Sequence, residues 1–78
     1  LELQMEEVLV GPGSILAGRT ILDTGLRQTY GAIVVAVKQG DERMRFNPAP
    51  EDRLQSGDRL IVLGAGEKLD EIAKLAAG

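Results

Sequence analysis

The feature that most constrains this chain is a polar turn that opens abruptly into an apolar run. The run holds four consecutive aliphatic residues, Leu60 to Leu63, and it ends on Gly64. The Ser-Gly-Asp segment at 56–58 supplies turn chemistry, because glycine takes positive φ without steric cost and short oxygen-bearing side chains bond nearby amides. The run is too short for a helix and too apolar to face water on either side. The stretch from 51 to 64 therefore predicts a turn feeding a buried strand, which the rest of the chain must cover.

The size of the chain limits it to one domain with a thin core. It has 78 residues, of which 44% are hydrophobic, and Tyr30 and Phe46 are its two aromatic residues. A domain of this size buries only about 60% of the surface of its unfolded chain. With no cysteine in the sequence, neither disulfides nor thiolate metal sites can add stability. We therefore expect oligomerisation to supply the missing stability.

Charge and hydropathy exclude two classes of partner. The net charge is −3 and the basic residues are scattered singly, whereas nucleic-acid binding needs a clustered basic face. The longest apolar run, residues 32–37, is far shorter than the roughly 20 residues that span a bilayer. We expect no nucleic acid, no membrane insertion and a soluble domain. Because the chain begins at Leu1 without an initiator methionine, residues 1–78 are expected to be one domain excised from a longer protein.

The first third of the chain predicts a strand, a loop and a short helix. Leucine or methionine at positions 1, 3 and 5 alternates with polar residues, which indicates a strand with one solvent-exposed face. The alternation is broken by three consecutive apolar residues at 8–10, which suggests a bulge or a strand end buried on both faces. The glycines and proline of residues 11–14 break this strand, and Ile15 and Leu16 are expected to point inward. Thr20 and Asp23 resemble a capping box, which predicts a helix over 20–24 closed by Gly25.

The remaining elements are three strands and a helix. Residues 26–31 are interpreted as a connection into the apolar strand 32–37, and a hairpin turn at 40–41 leads to a strand at 43–46. After Gly64 the apolar residues at 69, 72, 73 and 76 fall on one side of a helix. The predicted order is β-α-β-β-β-α, an α+β fold with two helices on a small mixed or antiparallel sheet.

Catalytic chemistry finds little support in the sequence. Residues 13–20 have the spacing of a phosphate-binding P-loop, but Arg19 stands where a lysine is required and arginine does not replace it. The chain has no histidine and no cysteine, so the usual bases and thiolate nucleophiles are missing. Adjacent acidic pairs at 6–7, 41–42 and 51–52 are more typical of solvated turns than of cation sites, although two pairs could converge across a symmetric dimer. We therefore expect a protein that is not an enzyme.

Arg27 and Tyr30 form the most promising binding pair. They lie just before a buried strand, and they combine a donor for anions with an aromatic face on which a base could stack. The alternative is that Tyr30 packs over the edge of the domain and Arg27 is solvated.

Five short motifs follow one another along nearly the whole chain. They are Gly13-Ser14-x-Leu16-x-Gly18-x-Thr20, Leu26-Arg27-x-x-Tyr30-Gly31, the valine-rich run, Asn47-Pro48-x-Pro50, and Leu54-x-x-Gly57-Asp58-x-Leu60-Ile61-Val62-x-Gly64. In this order they resemble the RCK C-terminal (TrkA-C) domain family of potassium channels and transporters, which is far more specific than any single motif.

The resemblance implies a cytosolic, non-enzymatic regulatory domain that forms homodimers and acts on a membrane channel or transporter subunit through its parent protein. A ligand that binds one dimer geometry better than another would bias the pore between states. The alternative is a structural dimerisation or assembly domain of another cation or anion transporter, with no ligand of its own.

The resemblance also implies candidate ligands. Some members bind cyclic di-AMP in the dimer cleft, and others respond to divalent cations. The aliphatic-arginine pair of the cyclic di-AMP binders maps onto Leu26 and Arg27, and with Tyr30 these are the expected ligand-binding residues; the metal-binding residues stay open. Ala32 and Ile33 depart from that pattern, because they are apolar where such binders tend to offer an amide.

Overall fold

The computed structural model describes residues 2–78. In this range four strands and three helices follow one another. Their bounds are β1 Leu3–Leu9, α1 Ile21–Thr24, α2 Leu26–Tyr30, β2 Ile33–Lys38, β3 Arg45–Phe46, β4 Arg59–Ala65 and α3 Gly66–Ala76. The strands form one antiparallel sheet in the order β1-β4-β2-β3, so the predicted α+β class is confirmed.

Strand β4 occupies the centre of the sheet, as the opening stretch predicted. It pairs with β1 from Leu3 opposite Ala65 to Leu9 opposite Arg59, and with β2 on its other side. The side chains of Leu60 and Val62 have no exposed surface, because α3 covers this face of the sheet. The turn before β4 also forms as expected: Gly57 has φ 91°, and the buried Asp58 accepts a 2.8 Å hydrogen bond at Oδ2 from the Gln55 amide.

The prediction of two helices is corrected to three. The segment interpreted as a connection, residues 26–30, forms a second one-turn helix between two glycines in the left-handed conformation. Gly25 has φ 73° and ends α1, and Gly31 has φ 64° and ends α2. Each glycine reverses the chain after a single turn, so the five residues between them are too few to show a helical period in the sequence.

The orientation of β1 also differs from the sequence prediction. Leu3 and Met5 lie on the face away from the helices, where each is more than half exposed, while Gln4 and Glu6 lie opposite the inward residues of β4. Leu1, which shares their pattern, lies outside the described residues. The pairing of β1 with β4 is continuous, and the irregularity occurs instead in β2, where Val35 forms a bulge between Val34 and Ala36.

The loop after β1 holds the end of α3. The Ser14 hydroxyl donates a 2.6 Å hydrogen bond to the Leu75 carbonyl oxygen and accepts a 3.0 Å bond from the Leu16 amide. Leu16 is buried as expected, whereas Ile15 is 55% exposed, contrary to the prediction that both point inward. The same loop satisfies the Ala76 carbonyl, one of the helix-end groups that lack a partner within the helix, through the Gly11 amide at 2.8 Å.

Candidate ligand-binding groove

The two short helices are placed by capping interactions that the sequence predicted in part. Thr20 is the N-cap of α1, and its hydroxyl accepts a 3.1 Å hydrogen bond from the Asp23 amide. The Gly31 amide closes α2 by donating to backbone carbonyls of its first turn. Because α1 and α2 each end after one turn, α2 lies beside the start of β2.

The structure separates the three expected ligand-binding residues. Leu26 is fully buried, and Tyr30 is partly buried and packs against the hydrophobic core, as the alternative interpretation of Tyr30 held. Arg27 is exposed, and no carboxylate of residues 2–78 forms an ion pair with it. Leu26 and Arg27 line the same groove, whereas Tyr30 lies outside its lining. The ligand-binding roles of these residues stay predictions.

The groove has a volume of about 320 Å³ and lies between the short helices, the start of β2 and the loop at 47–50. Its walls are mainly aliphatic and include Ile33, with Arg27, Gln28 and Asn47 as polar contributors. Ligand pockets are typically concave, mostly apolar and furnished with a few polar groups, and volumes of roughly 300–1,000 Å³ are common. The geometry therefore suits a ligand with an apolar or planar part and an anionic group near Arg27.

The loop at 47–50 forms a wall of the groove, a role that its sequence motif did not predict. Asn47 has φ 53°, and its amide donates a 2.8 Å hydrogen bond to the Val35 carbonyl oxygen. Asp52 accepts a 3.0 Å bond from the Ala49 amide at its side-chain Oδ2, and its main-chain oxygen accepts a 2.9 Å bond from Ile21. The Asn-Pro-x-Pro motif was the available signal, because asparagine tolerates the left-handed region and prolines stiffen the chain.

These hydrogen bonds join the loop to the first turn of α1. The Leu22 amide donates to the Pro50 carbonyl oxygen at 2.9 Å, beside the bond from Ile21 to Asp52. Two opposite walls of the groove are thus tied together by the backbone. Such a groove is largely formed before a ligand arrives, which lowers the entropy lost on binding.

The acidic pairs do not assemble a metal site within the part of the chain that the structure describes. No group of three or more metal-ligating side chains converges among residues 2–78. Glu7 instead lies 3.1 Å from the Arg59 guanidinium, and Asp52 lies 3.5 Å from Arg45. Convergence of two pairs across a dimer stays a prediction.

None of the helices in residues 2–78 is both long and apolar enough to cross a membrane. Residues 2–78 thus form a small α+β domain with a mainly aliphatic groove that is lined in part by Arg27.

The chain belongs to the TrkA-C domain family, because the family profile matches residues 5–77. This confirms the resemblance drawn from the five motifs. Domains of this family are regulatory, non-enzymatic parts of potassium transport proteins.

Two curated relatives illustrate the setting of such domains. The chain is 37% identical over 76 residues to the Ktr system potassium uptake protein C of Bacillus subtilis, covering 95% of this chain and 34% of that protein. It is 38% identical over 66 residues to the uncharacterized transporter sll0640 of Synechocystis, covering 85% of this chain and 11% of that protein. The chain therefore spans about a third and about a tenth of these relatives.

Solved structures share the fold. The RCK C domain of the potassium transport protein KtrA, in complex with cyclic di-AMP, superposes with a TM-score of 0.81 at 32% identity, covering 94% of this chain and 82% of that one. The RCK_C domain dimer of Streptococcus agalactiae BusR, also in complex with cyclic di-AMP, has a TM-score of 0.80 at 20% identity, covering 91% and 92%, and shows a common fold.

BusR was also solved in complex with promoter DNA, and this chain covers 37% of that longer chain. The expectation of no nucleic-acid binding is therefore not supported by the structures that share the fold. It stays a prediction about residues 1–78.

Proposed function

We propose that this chain is a cytosolic ligand-sensing domain that acts as a homodimer to gate a potassium channel or a potassium uptake or efflux system. The observation that carries the proposal is the preformed groove containing Arg27, in a chain whose family regulates potassium transport. A ligand that binds the groove more tightly in one dimer geometry shifts the population toward that geometry.

The proposed ligand is a cyclic dinucleotide, with cyclic di-AMP as the first candidate. The KtrA domain, at 32% identity, was solved with this molecule. In this chain Arg27 would bind a phosphate, and the aliphatic wall that contains Leu26 would contact a base. Tyr30 contributes indirectly, because it lies one helical turn from Leu26 and holds α2 against the core.

The groove also carries amides, although Ala32 and Ile33 supply none. Gln28 and Asn47 both line it, and a side-chain amide can pair with the hydrogen-bonding edge of a base. We propose that these amides replace the one that cyclic di-AMP binders tend to offer beside the second strand.

Isothermal titration of the folded chain with cyclic di-AMP tests this function. The variant Arg27→Ala removes a charge-assisted hydrogen bond, so its dissociation constant is expected to rise roughly 10- to 100-fold. Arg43→Ala is the matched control, because Arg43 is exposed and lies outside the groove. Absence of binding heat with the oligomer intact, or equal weakening by both variants, would refute cyclic di-AMP sensing through this groove.

A plain assembly domain is the second candidate function. It is favoured by the apolar residues Ala32 and Ile33 in the groove, which offer no hydrogen bond to a ligand. A thermal-shift screen with nucleotides, cyclic dinucleotides and divalent cations separates the two functions. A ligand at 100 times its dissociation constant stabilises the folded state by about 2.7 kcal/mol, whereas an assembly domain shows no shift with any of them.

A further inference from the structure

Helix α3 ends on a residue in the extended conformation. Its C-cap, Ala77, has φ −67° and ψ 141°, and the Ala77 amide donates the last bond of the helix, to the Ala73 carbonyl oxygen. Many helices end instead on a glycine in the left-handed conformation, which turns the chain back toward the last carbonyl groups. An extended cap does not turn the chain back, so the carbonyl groups after Ala73 need partners from another part of the fold.

The loop at 11–14, called the cradle below, supplies these partners. The Gly11 amide donates a 2.8 Å hydrogen bond to the Ala76 carbonyl oxygen, beside the bond from the Ser14 hydroxyl to the preceding carbonyl. The cradle is itself closed by a 3.1 Å bond from the Ser14 amide to the Gly11 carbonyl oxygen. The end of α3 is therefore held by a turn that belongs to the opposite end of the chain.

Three glycines meet where the chain leaves α3 and passes over the cradle. A Cβ at Gly11 would lie 2.9 Å from the Gly78 amide nitrogen, and a Cβ at Gly13 would lie 3.1 Å from the Gly78 carbonyl carbon. A Cβ at Gly78 would overlap the Ser14 amide nitrogen. None of the three glycines has a φ in the left-handed region, so the close approach of two backbones, and not the backbone conformation, excludes a side chain here.

The contact lies on the surface and apart from the groove. Residues 77–78, called the strap below, are exposed, as are residues 12–13 of the cradle, whereas Ala76 is buried. The groove is lined by residues between 21 and 50 of the chain. Segments with few buried apolar contacts open at a lower free energy than the core of a domain. The strap is therefore the part of the α3 end that can separate while the core stays folded.

We propose that the strap and the cradle form a backbone latch, which holds the last turn of α3 in place when closed and opens without unfolding the sheet. When the strap lifts from the cradle, the bond between the Gly11 amide and the Ala76 carbonyl oxygen is lost and the last turn of the helix frays. Because the closed latch has no room for a side chain at 78, any other L-residue at this position holds it open. The latch is a conformational device distinct from the proposed ligand site.

Hydrogen exchange followed by NMR tests the latch in the variant Gly78→Ala. The protection factors of the Gly11 and Ala77 amides are expected to fall roughly 10-fold, because an open strap no longer shields their hydrogen bonds. The amides of Ile21 and Leu22, which donate to carbonyl oxygens beside the groove, are expected to keep their protection. These two amides report whether the rest of the domain stays folded.

Two further variants give the experiment a control and a second approach. Ala77→Val adds a larger side chain to the strap at an exposed, extended residue, and it is expected to leave the Gly11 amide protected. Gly11→Ala attacks the latch from the cradle and is expected to lower the protection of the Ala77 amide. Gly13→Ala is expected to have a smaller effect, because its Cβ approaches Gly78 less closely.

The outcomes either support the latch or overturn it. A loss of protection in Gly78→Ala that is confined to the Gly11 and Ala77 amides supports it. Unchanged protection would show that the strap does not rest on the cradle. A loss that extends to Ile21 and Leu22 would show that the contact belongs to the global fold, and an equal loss in Ala77→Val would show that close approach at Gly78 is not what matters; each of these results overturns the proposal.

Discussion

Replacing Ser14 with alanine removes one hydroxyl group but is expected to lower the free energy of unfolding substantially, because that hydroxyl makes two hydrogen bonds. The side chain is 7% exposed, and its hydroxyl bonds the Leu75 carbonyl oxygen at 2.6 Å and the Leu16 amide at 3.0 Å. Alanine leaves both of these groups without a partner, and each unsatisfied buried group costs about 1–3 kcal/mol. Taking the lower part of that range for each group gives a loss of about 2–3 kcal/mol.

A thermal melt at fixed chain concentration measures this effect. In a domain of this size the melting temperature falls by about 4–8 °C for each kcal/mol lost from the free energy of unfolding. Ser14→Ala is therefore expected to lower the melting temperature by roughly 10–20 °C. Ser56→Ala is the control, since the other serine of the chain is exposed in the turn before β4. If the two variants melt together, the hydroxyl does not hold the end of α3 and the reasoning fails.

Three further substitutions, followed by urea unfolding, test other parts of the fold. Leu69→Ala removes a fully buried side chain of α3 and is expected to lower the free energy of unfolding by about 2–5 kcal/mol; a loss below that range would mean that α3 packs loosely. Gly25→Ala places a Cβ at a residue with φ 73°, 3.1 Å from the Thr29 hydroxyl oxygen. The free energy of unfolding is expected to fall by roughly 1–3 kcal/mol. An unchanged stability would contradict backbone strain at this position. Glu7→Gln breaks the ion pair between Glu7 and Arg59, whose two side chains are both half exposed. The free energy of unfolding is expected to change by less than about 1 kcal/mol. A larger change would contradict a pair that is screened by solvent.

The central strand and the last helix could be predicted because their signals are local. The run from Leu60 to Leu63 is bounded by a turn and a glycine, and residues 66–76 carry a helical period. Helix α2 could not be predicted in the same way, because its five residues are held by two glycines in the left-handed conformation rather than by a period.

The orientation of β1 shows a different limit. Alternation in a sequence says which residues share a face, but it does not say which face the helices cover. The alternation at positions 1, 3 and 5 predicted a strand with one solvent-exposed face, and the structure exposes Leu3 and Met5 as well. The sequence of one chain cannot predict which face of β1 is buried if that face is covered by a partner molecule.

The candidate groove was predictable only on one side. Leu26 and Arg27 were expected from the resemblance, and the structure places both in the groove lining. The opposite wall comes from residues 47–50, at least 20 residues further along the chain, and it is held by hydrogen bonds that amides of α1 donate to the carbonyl oxygens of Pro50 and Asp52. The Asn-Pro-x-Pro motif predicts a stiff turn at 47–50, but its contact with α1 depends on the tertiary fold and no local pattern predicts it.

The central place of β4 has a consequence for how the chain is made. Strands β1 and β2 both pair with β4 and not with each other, and β4 is the last strand in the sequence. During synthesis β1 and β2 therefore leave the ribosome before β4 has been made. Until then the ladder between β2 and β3 is the part of the sheet that can form. The two ladders at the centre of the sheet cannot form until residues 59–65 have left the ribosome, because β4 is a member of both. Substitutions that weaken β4 are therefore expected to disturb both ladders, whereas a change in β1 disturbs only its own ladder with β4.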